Sequence, residues 1–292
     1  MIRKWIYLTI LSISVLIFVY FKWTSKATSP SNYAAQIKSS RLKEVSGIVF
    51  SVKNKDLLWM HNDGGRGKRF YLVDRSGNTK ATFKLEESLR DWEDIAIGPG
   101  AIKGKPYIYA GDIGDNSSRR PFISIYRFLE PILEDDRDVK DVEKLTVKYP
   151  DGSRDAEAMF VDPLSKNLYI ITKREDNVGV YYTPTNFNEG DTVTLKKGGV
   201  LHIKGIKMLG WVTAADISRD GKRILVRTYS NVFYWDREDG QTVEEAMQGE
   251  PKILTHIAEV QGEAIGFTPN GKGYYTVREG RNPYLNHNSI SR

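Results

Sequence analysis

Five stretches of the chain share one polarity pattern: an acidic or polar residue, then a small or acidic one, then an apolar run. They read EVSGIVF (44–50), DWEDIAI (91–97), DAEAMFV (155–161), TAADISR (213–219) and QGEAIGF (261–267). Aligned on Ser46, Glu93, Glu157, Ala215 and Glu263, they are spaced 47, 64, 58 and 48 residues apart. Each is followed by a turn and a second apolar run: LLWMHND (57–63), PYIYAGD (106–112), NLYIITK (167–173), RILVRTY (223–229) and GYYTVRE (273–279). Asp220-Gly221 and Asn270-Gly271 supply the positive φ that a tight hairpin requires. Aromatic third runs follow in four repeats (69–74, 123–128, 179–184, 231–236), and shorter fourth runs at 81–85, 144–149, 200–203 and 253–257.

Four short strands per recurring unit predict an all-β fold, a β-propeller. Five blades is the expected count, with six if the long second repeat conceals another. The final repeat lacks a fourth strand, whereas AAQIKSS (34–40) precedes the first repeat without an assignment. Pairing that segment with the last blade near Tyr284 closes the ring and removes two open sheet edges. One helix is expected, from Thr242 to Met247, where Thr242 and Glu245 have capping-box spacing.

The N-terminus has a different character. Residues 5–21, WIYLTILSISVLIFVYF, carry no charge and lie between Lys4 and Lys22. A helix of that length spans ~26 Å, slightly under a hydrocarbon core of ~30 Å. Trp5, Tyr7, Tyr20 and Trp23 sit near its ends, where amphipathic rings favour the membrane interface. Residues 1–23 are thus expected to be a single-pass anchor, or alternatively a signal peptide cleaved near Ser25-Lys26-Ala27. Residues 24–33 form a polar tether, and 34–292 the propeller domain, which is expected outside the cytoplasm as a monomer.

Composition narrows the chemistry. The 292 residues include no cysteine, which excludes disulfides, thiolate metal sites and a thiol nucleophile. The net charge of +6 belongs largely to Arg3, Lys4, Lys22 and Lys26; without them, 39 basic residues face 37 acidic ones. That balance gives no case for nucleic acid.

The strings SGIV, HNDGG, DWEDIAIG, GDIGDN, YPDGSRDAEAMFVDP, YIITKRE, TAADIS and QGEAIGFTPNGKGYYTV resemble a family of exported or membrane-anchored bacterial β-propellers. That family is broadly similar to phytase-like and lactonase-like propellers. The resemblance covers roughly residues 42–280 and implies a propeller, with no assigned reaction.

In an antiparallel blade, the loop leading into the first strand and the loop leaving the second open on the same face. That topology gathers Glu44, Asp91, Glu93, Asp94, Asp155, Glu157, Asp216 and Glu263 with His61, Asp63, Asp112, Asp115, Lys173, Arg227 and Arg278 around one mouth. A hard-oxygen cluster suits Ca²⁺, and Glu93, Asp112, Asp115, Glu157 and Glu263 are the expected cation ligands. His61, Asp63, Asp94, Lys173, Arg227 and Arg278 are the expected ligand-binding groups, with His61 the candidate base. The same residues also fit a mouth without a metal. Lys173, Arg227 and Arg278 then neutralise Glu157, Glu263 and Asp112 in a plain ionic ring, or the Asp-Gly pairs are ordinary turn formers. Arg119-Arg120 and Lys196-Lys197 read as solvated loop charges. Two functions follow: a ligand-binding or scaffolding module for an anionic small molecule or a cell-surface ligand, or a metal-dependent hydrolase of phosphate esters or lactones.

Overall fold

The computed structural model describes residues 33–64, 69–135, 137–175, 177–203, 207–257 and 259–290. The expected anchor at residues 5–21 lies outside the described residues, and no described helix is long and apolar enough to cross a membrane.

The chain opens with β1 (Tyr33–Gln36) and then builds its first blade from β2 (Val45–Phe50), β3 (Leu57–Asn62), β4 (Arg69–Asp74) and β5 (Thr79–Leu85). The second blade contains β6 (Trp92–Pro99), β7 (Pro106–Asp112), β8 (Ile123–Leu129) and, after the two-residue β9 (Asp138–Val139), β10 (Glu143–Lys148). The third uses β11 (Ala156–Val161), β12 (Asn167–Thr172), β13 (Val178–Pro184) and, beyond β14 (Thr192–Thr194), β15 (Lys196–Leu201). The fourth is β16 (Val212–Ile217), β17 (Arg223–Thr228), β18 (Val232–Asp236) and β19 (Lys252–Leu254). The fifth is β20 (Gly262–Phe267), β21 (Gly273–Arg278) and β22 (Tyr284–Ser289), completed by β1.

The first strands contact one another in a closed cycle, β2 to β6 to β11 to β16 to β20 and back to β2. The count is therefore five, and the long second repeat holds no sixth blade. Its extra length makes β9, which leaves its own blade to add a parallel strand to β5. β14 does the same for β10. Each of these strands covers the outer edge of the preceding blade, which limits edge-to-edge pairing. Closure follows the expectation: β1 runs antiparallel to β22, with Gln36 opposite Tyr284. The helix spans Val243–Gln248 and carries both halves of the capping box between Thr242 and Glu245.

Burial follows the sheet faces. Five apolar clusters each fill the space between two adjacent blades; one stacks Trp59, Phe70, Phe83 and Phe128 of blades one and two. Fully burying such a side chain contributes roughly 1.5–3 kcal/mol, so the ring is held by blade-to-blade packing.

One irregularity shapes the channel. Every first strand carries a β-bulge at the same height, and the unpaired residues are Ser46, Glu93, Glu157, Thr213 and Glu263. The structural equivalent in the fourth blade is thus Thr213, two residues before the Ala215 chosen by sequence alignment. A bulge bends its strand and re-aims the extra side chain, which is how one position in five blades comes to face the mouth.

Candidate functional site: an acidic channel mouth

The bulged residues divide into two groups. Ser46 donates its hydroxyl to the Glu93 carbonyl at 2.5 Å, and Thr213 donates to the Gly262 carbonyl at 2.9 Å, so both link to the next blade. The three glutamates cannot donate when ionised and are left as a carboxylate ring, each no more than 6% exposed.

Their partners differ. Glu157 forms an ion pair with the buried Lys173 at the end of β12. Lys173 also donates to the Tyr229 hydroxyl at 3.2 Å, leaving the hydroxyl proton to face Glu263. Burial alone would depress Lys173, but Glu157, Tyr229 and Glu263 hold it protonated. Beside this group, Arg174 pairs with Asp155, bonds Asn116 and lies 4.5 Å over the Trp211 ring. Burial pushes Glu279 at the rim up to about 7, with Glu263, Asp63 and Glu44 adding repulsion.

Glu93 has different company. One oxygen each of Asp63, Asp91 and Glu93 lie within 4.8 Å of one another. Among the described residues, no Lys or Arg makes an ion pair with any of the three. Burial pushes Glu93 and the half-buried Asp91 up, and partial desolvation raises Asp63, which stands at the exposed edge of the cluster. Mutual repulsion adds to it: Glu157, Asp63 and Asp91 act on Glu93, and Asp63 acts on Asp91. Gly114 makes the approach sterically possible. A Cβ there would collide with Glu93 Oε1 and lie 2.5 Å from Asp91 Oδ2.

The remaining sequence candidates have other positions. Asp112 accepts the backbone N–H groups of Arg90 and Asp91, each at 3.0 Å, and pairs with Arg120 at 2.9 Å. Arg120 is therefore a buried structural cation, contrary to its expected place as a solvated loop charge. Asp115 accepts the Arg120 N–H at 2.6 Å and donates its own N–H to Asp155 at 2.8 Å. Both residues shape the loop around Gly114 instead of joining Glu93.

Asp94 sits one residue beyond the ring, fully enclosed, and its two oxygens accept the N–H of Ile95 and, across the blade gap, of Met159. Arg227 does not reach the mouth. It is 1% exposed, pairs with Glu259 at 2.7 Å and donates to the Ala264 and Val277 carbonyls. Its guanidinium occupies the space over Gly262, where a Cβ would overlap Nη2. Arg278 is at the rim, donating to the Glu279 carbonyl at 3.2 Å.

His61 is enclosed too. Its ring stacks on Trp92 at 4.3 Å, Nδ1 lies 2.9 Å from the Asn62 carbonyl, and desolvation pushes its pKa down to about 3. A neutral ring with Nδ1–H engaged and Nε2 over Gly47 is poorly placed to act as a base at the rim.

Sequence reasoning misses Tyr229 and Trp211. Both are aromatics at the mouth ends of blade-four strands, where the alternation that marks strand positions has already ended.

No family model matches the chain, and no curated protein matches it. Among solved structures, a chain of the nidogen/laminin complex is similar at 12% identity, over 85% of this chain and 86% of that chain, with a TM-score of 0.47. A likeness that distant carries no chemistry from that complex to this mouth.

Proposed function

We propose that this chain is a membrane-tethered, extracytoplasmic β-propeller that binds an anionic ligand through a divalent cation at its channel mouth. Asp63, Asp91 and Glu93 would hold the cation, and all-oxygen donors favour Ca²⁺. The observation that carries this reading is the contrast among mouth carboxylates. Asp112, Asp155 and Glu157 each have a basic partner, while the converging trio has none among the described residues. Closely packed carboxylates need a proton or a cation. Lys173 and Arg174 on the adjacent wall suit the ligand's negative charge.

The hydrolytic alternative loses its candidate histidine, because His61 is buried and neutral, and it would have to use a rim carboxylate such as Glu279 as the base. The test is thermal unfolding of the full chain in EGTA and in millimolar Ca²⁺, with metal content measured. At a hundredfold excess over Kd, the cation should add about 2.7 kcal/mol. Asp91→Asn and Glu93→Gln should abolish that gain, while Glu263→Gln retains most of it. An unchanged wild-type melt with no bound metal would favour the ion-paired channel. Ca²⁺-dependent turnover of a phosphate ester or lactone, lost in Glu93→Gln, would favour the hydrolase instead.

The tether rests on the uncharged segment at 5–21 and its flanking aromatics. Protease added to intact cells or spheroplasts should digest the propeller. Full protection behind a sealed membrane would reverse the orientation.

A further inference from the structure

The opposite end of the channel has its own cavity, of about 310 Å³, to which all five first strands contribute. Its walls are apolar: Val49, Phe50, Ile97, Val161, Ile217 and Phe267 come from the last residues of β2, β6, β11, β16 and β20. Around it, the loops joining first to second strands expose large hydrophobic side chains, with Val52 47%, Ile102 50% and Leu164 59% accessible. Val52 lines the cavity itself, and Ile102 and Leu164 stand on neighbouring loops at the same end of the blades, where water solvates such side chains poorly.

The charges at this opening are mainly positive. Lys105 and Arg219 line the cavity, and the same set of loops carries Lys53, Lys103, Lys166 and Lys272. The nearby acids are already occupied. Glu130 accepts from Ser51, the N–H groups of Val52 and Lys53, and Trp59 Nε1. Asp216 accepts the N–H of Ile217 at 2.8 Å and of Phe267 at 2.7 Å, one on each oxygen. Arg219 directs one Nη to the Ser51 carbonyl at 2.6 Å and lies in the field of Glu130 and Asp216, while its side chain stays accessible at the rim.

An apolar interior with cationic groups at its rim selects a molecule with the reverse arrangement. We propose that this cavity binds a single-chain amphiphilic anion, its hydrocarbon tail inside the channel and its carboxylate against Lys105 and Arg219. The position in the fold agrees. β1 enters from this end, with Tyr33 opposite His287 and the chain running toward the mouth. The apolar segment 5–21 thus precedes, in sequence, a strand that begins on the cavity side. The inference stands independently of the cation, which belongs to the other end.

The experiment uses the full chain in nanodiscs of uncharged phosphatidylcholine, photolysed with a diazirine-bearing laurate and mapped by peptide mass spectrometry. Adducts are expected on peptides covering 97–106 and 216–219, and excess laurate should suppress them about tenfold more effectively than dodecanol. Val161→Trp, which fills the cavity, should remove the adducts. Lys105→Glu and Arg219→Glu, on exposed loops, should erase the preference for laurate over dodecanol even if the tryptophan variant fails to fold. Adducts elsewhere, no competition by laurate, or equal competition by dodecanol would each overturn the proposal. EGTA should leave the labelling unchanged, which separates this result from the cation test.

Discussion

At the mouth, the second residue of each first strand is the bulged Ser46, Glu93, Glu157, Thr213 or Glu263; toward the opposite end, the same strands present Phe50, Ile97, Val161, Ile217 and Phe267. A few residues of strand separate a carboxylate ring from an apolar funnel. The difference shows how a propeller can have two unlike surfaces on one scaffold. Strand pairing fixes the backbone, and the side chains at each end are free to follow separate chemistry. Both ends also contain carboxyls pushed upward, for different reasons. At the mouth, burial is reinforced by neighbouring carboxylates, whereas at Asp216 burial acts against two backbone N–H donors.

The comparison can be broken most severely just below the mouth. Arg227→Leu leaves Glu259 buried with Asn286 but no cation, and should destabilise the protein by about 3–5 kcal/mol. Denaturant unfolding should show the same loss in EGTA and in Ca²⁺, because Arg227 is structural. A loss confined to one condition would put Arg227 back in the mouth chemistry.

Gly114→Ala addresses the mouth itself. Its Cβ must displace Glu93 and Asp91, so the roughly 2.7 kcal/mol of Ca²⁺-dependent stabilisation expected at a hundredfold excess should disappear. Retention of the full Ca²⁺ shift in this variant would mean that the trio does not hold the ion.

The third effect is smaller and lies at the other end. Burial raises Asp216 to about 7, so the folded protein binds its proton more tightly than the unfolded chain does. That contribution is complete below the unfolded carboxyl value near 4 and is lost as pH rises through about 7. Because the cavity reaches Asp216, the change should be on the order of 1–2 kcal/mol. Melts between pH 4.5 and 8 should show a shallower pH slope for Asp216→Asn than for wild type, in EGTA and Ca²⁺ alike. Identical slopes would mean that Asp216 is ionised throughout that range.

Much of this architecture is legible in the chain. The five first strands, the hairpin turns, the closing segment before Arg41 and the capping box at Thr242 and Glu245 all follow from short-range pattern, because strand alternation and turn chemistry are local. The recurrence of Glu93, Glu157 and Glu263 at one strand position is local too. The alignment failed in the fourth blade, where no carboxylate marks the bulge and the small residues Thr213, Ala214 and Ala215 offer several equivalent registers.

What only the tertiary structure decided is which of the many polar groups meet. Sequence alone determined that carboxylates and basic residues recur at one end of the strands, but it also put Asp216 there, which lines the cavity at the other end. It did not determine that Asp63 crosses to Asp91 and Glu93, or that Lys173 selects Glu157. Nor did it determine that Arg120 closes over Asp112 or that Arg227 turns inward to Glu259. The reason is physical. A strand is specified by its own alternation of side chains, whereas an ion pair between blades depends on bulges, glycine gaps and the closed ring, which exist only once all five sheets have packed.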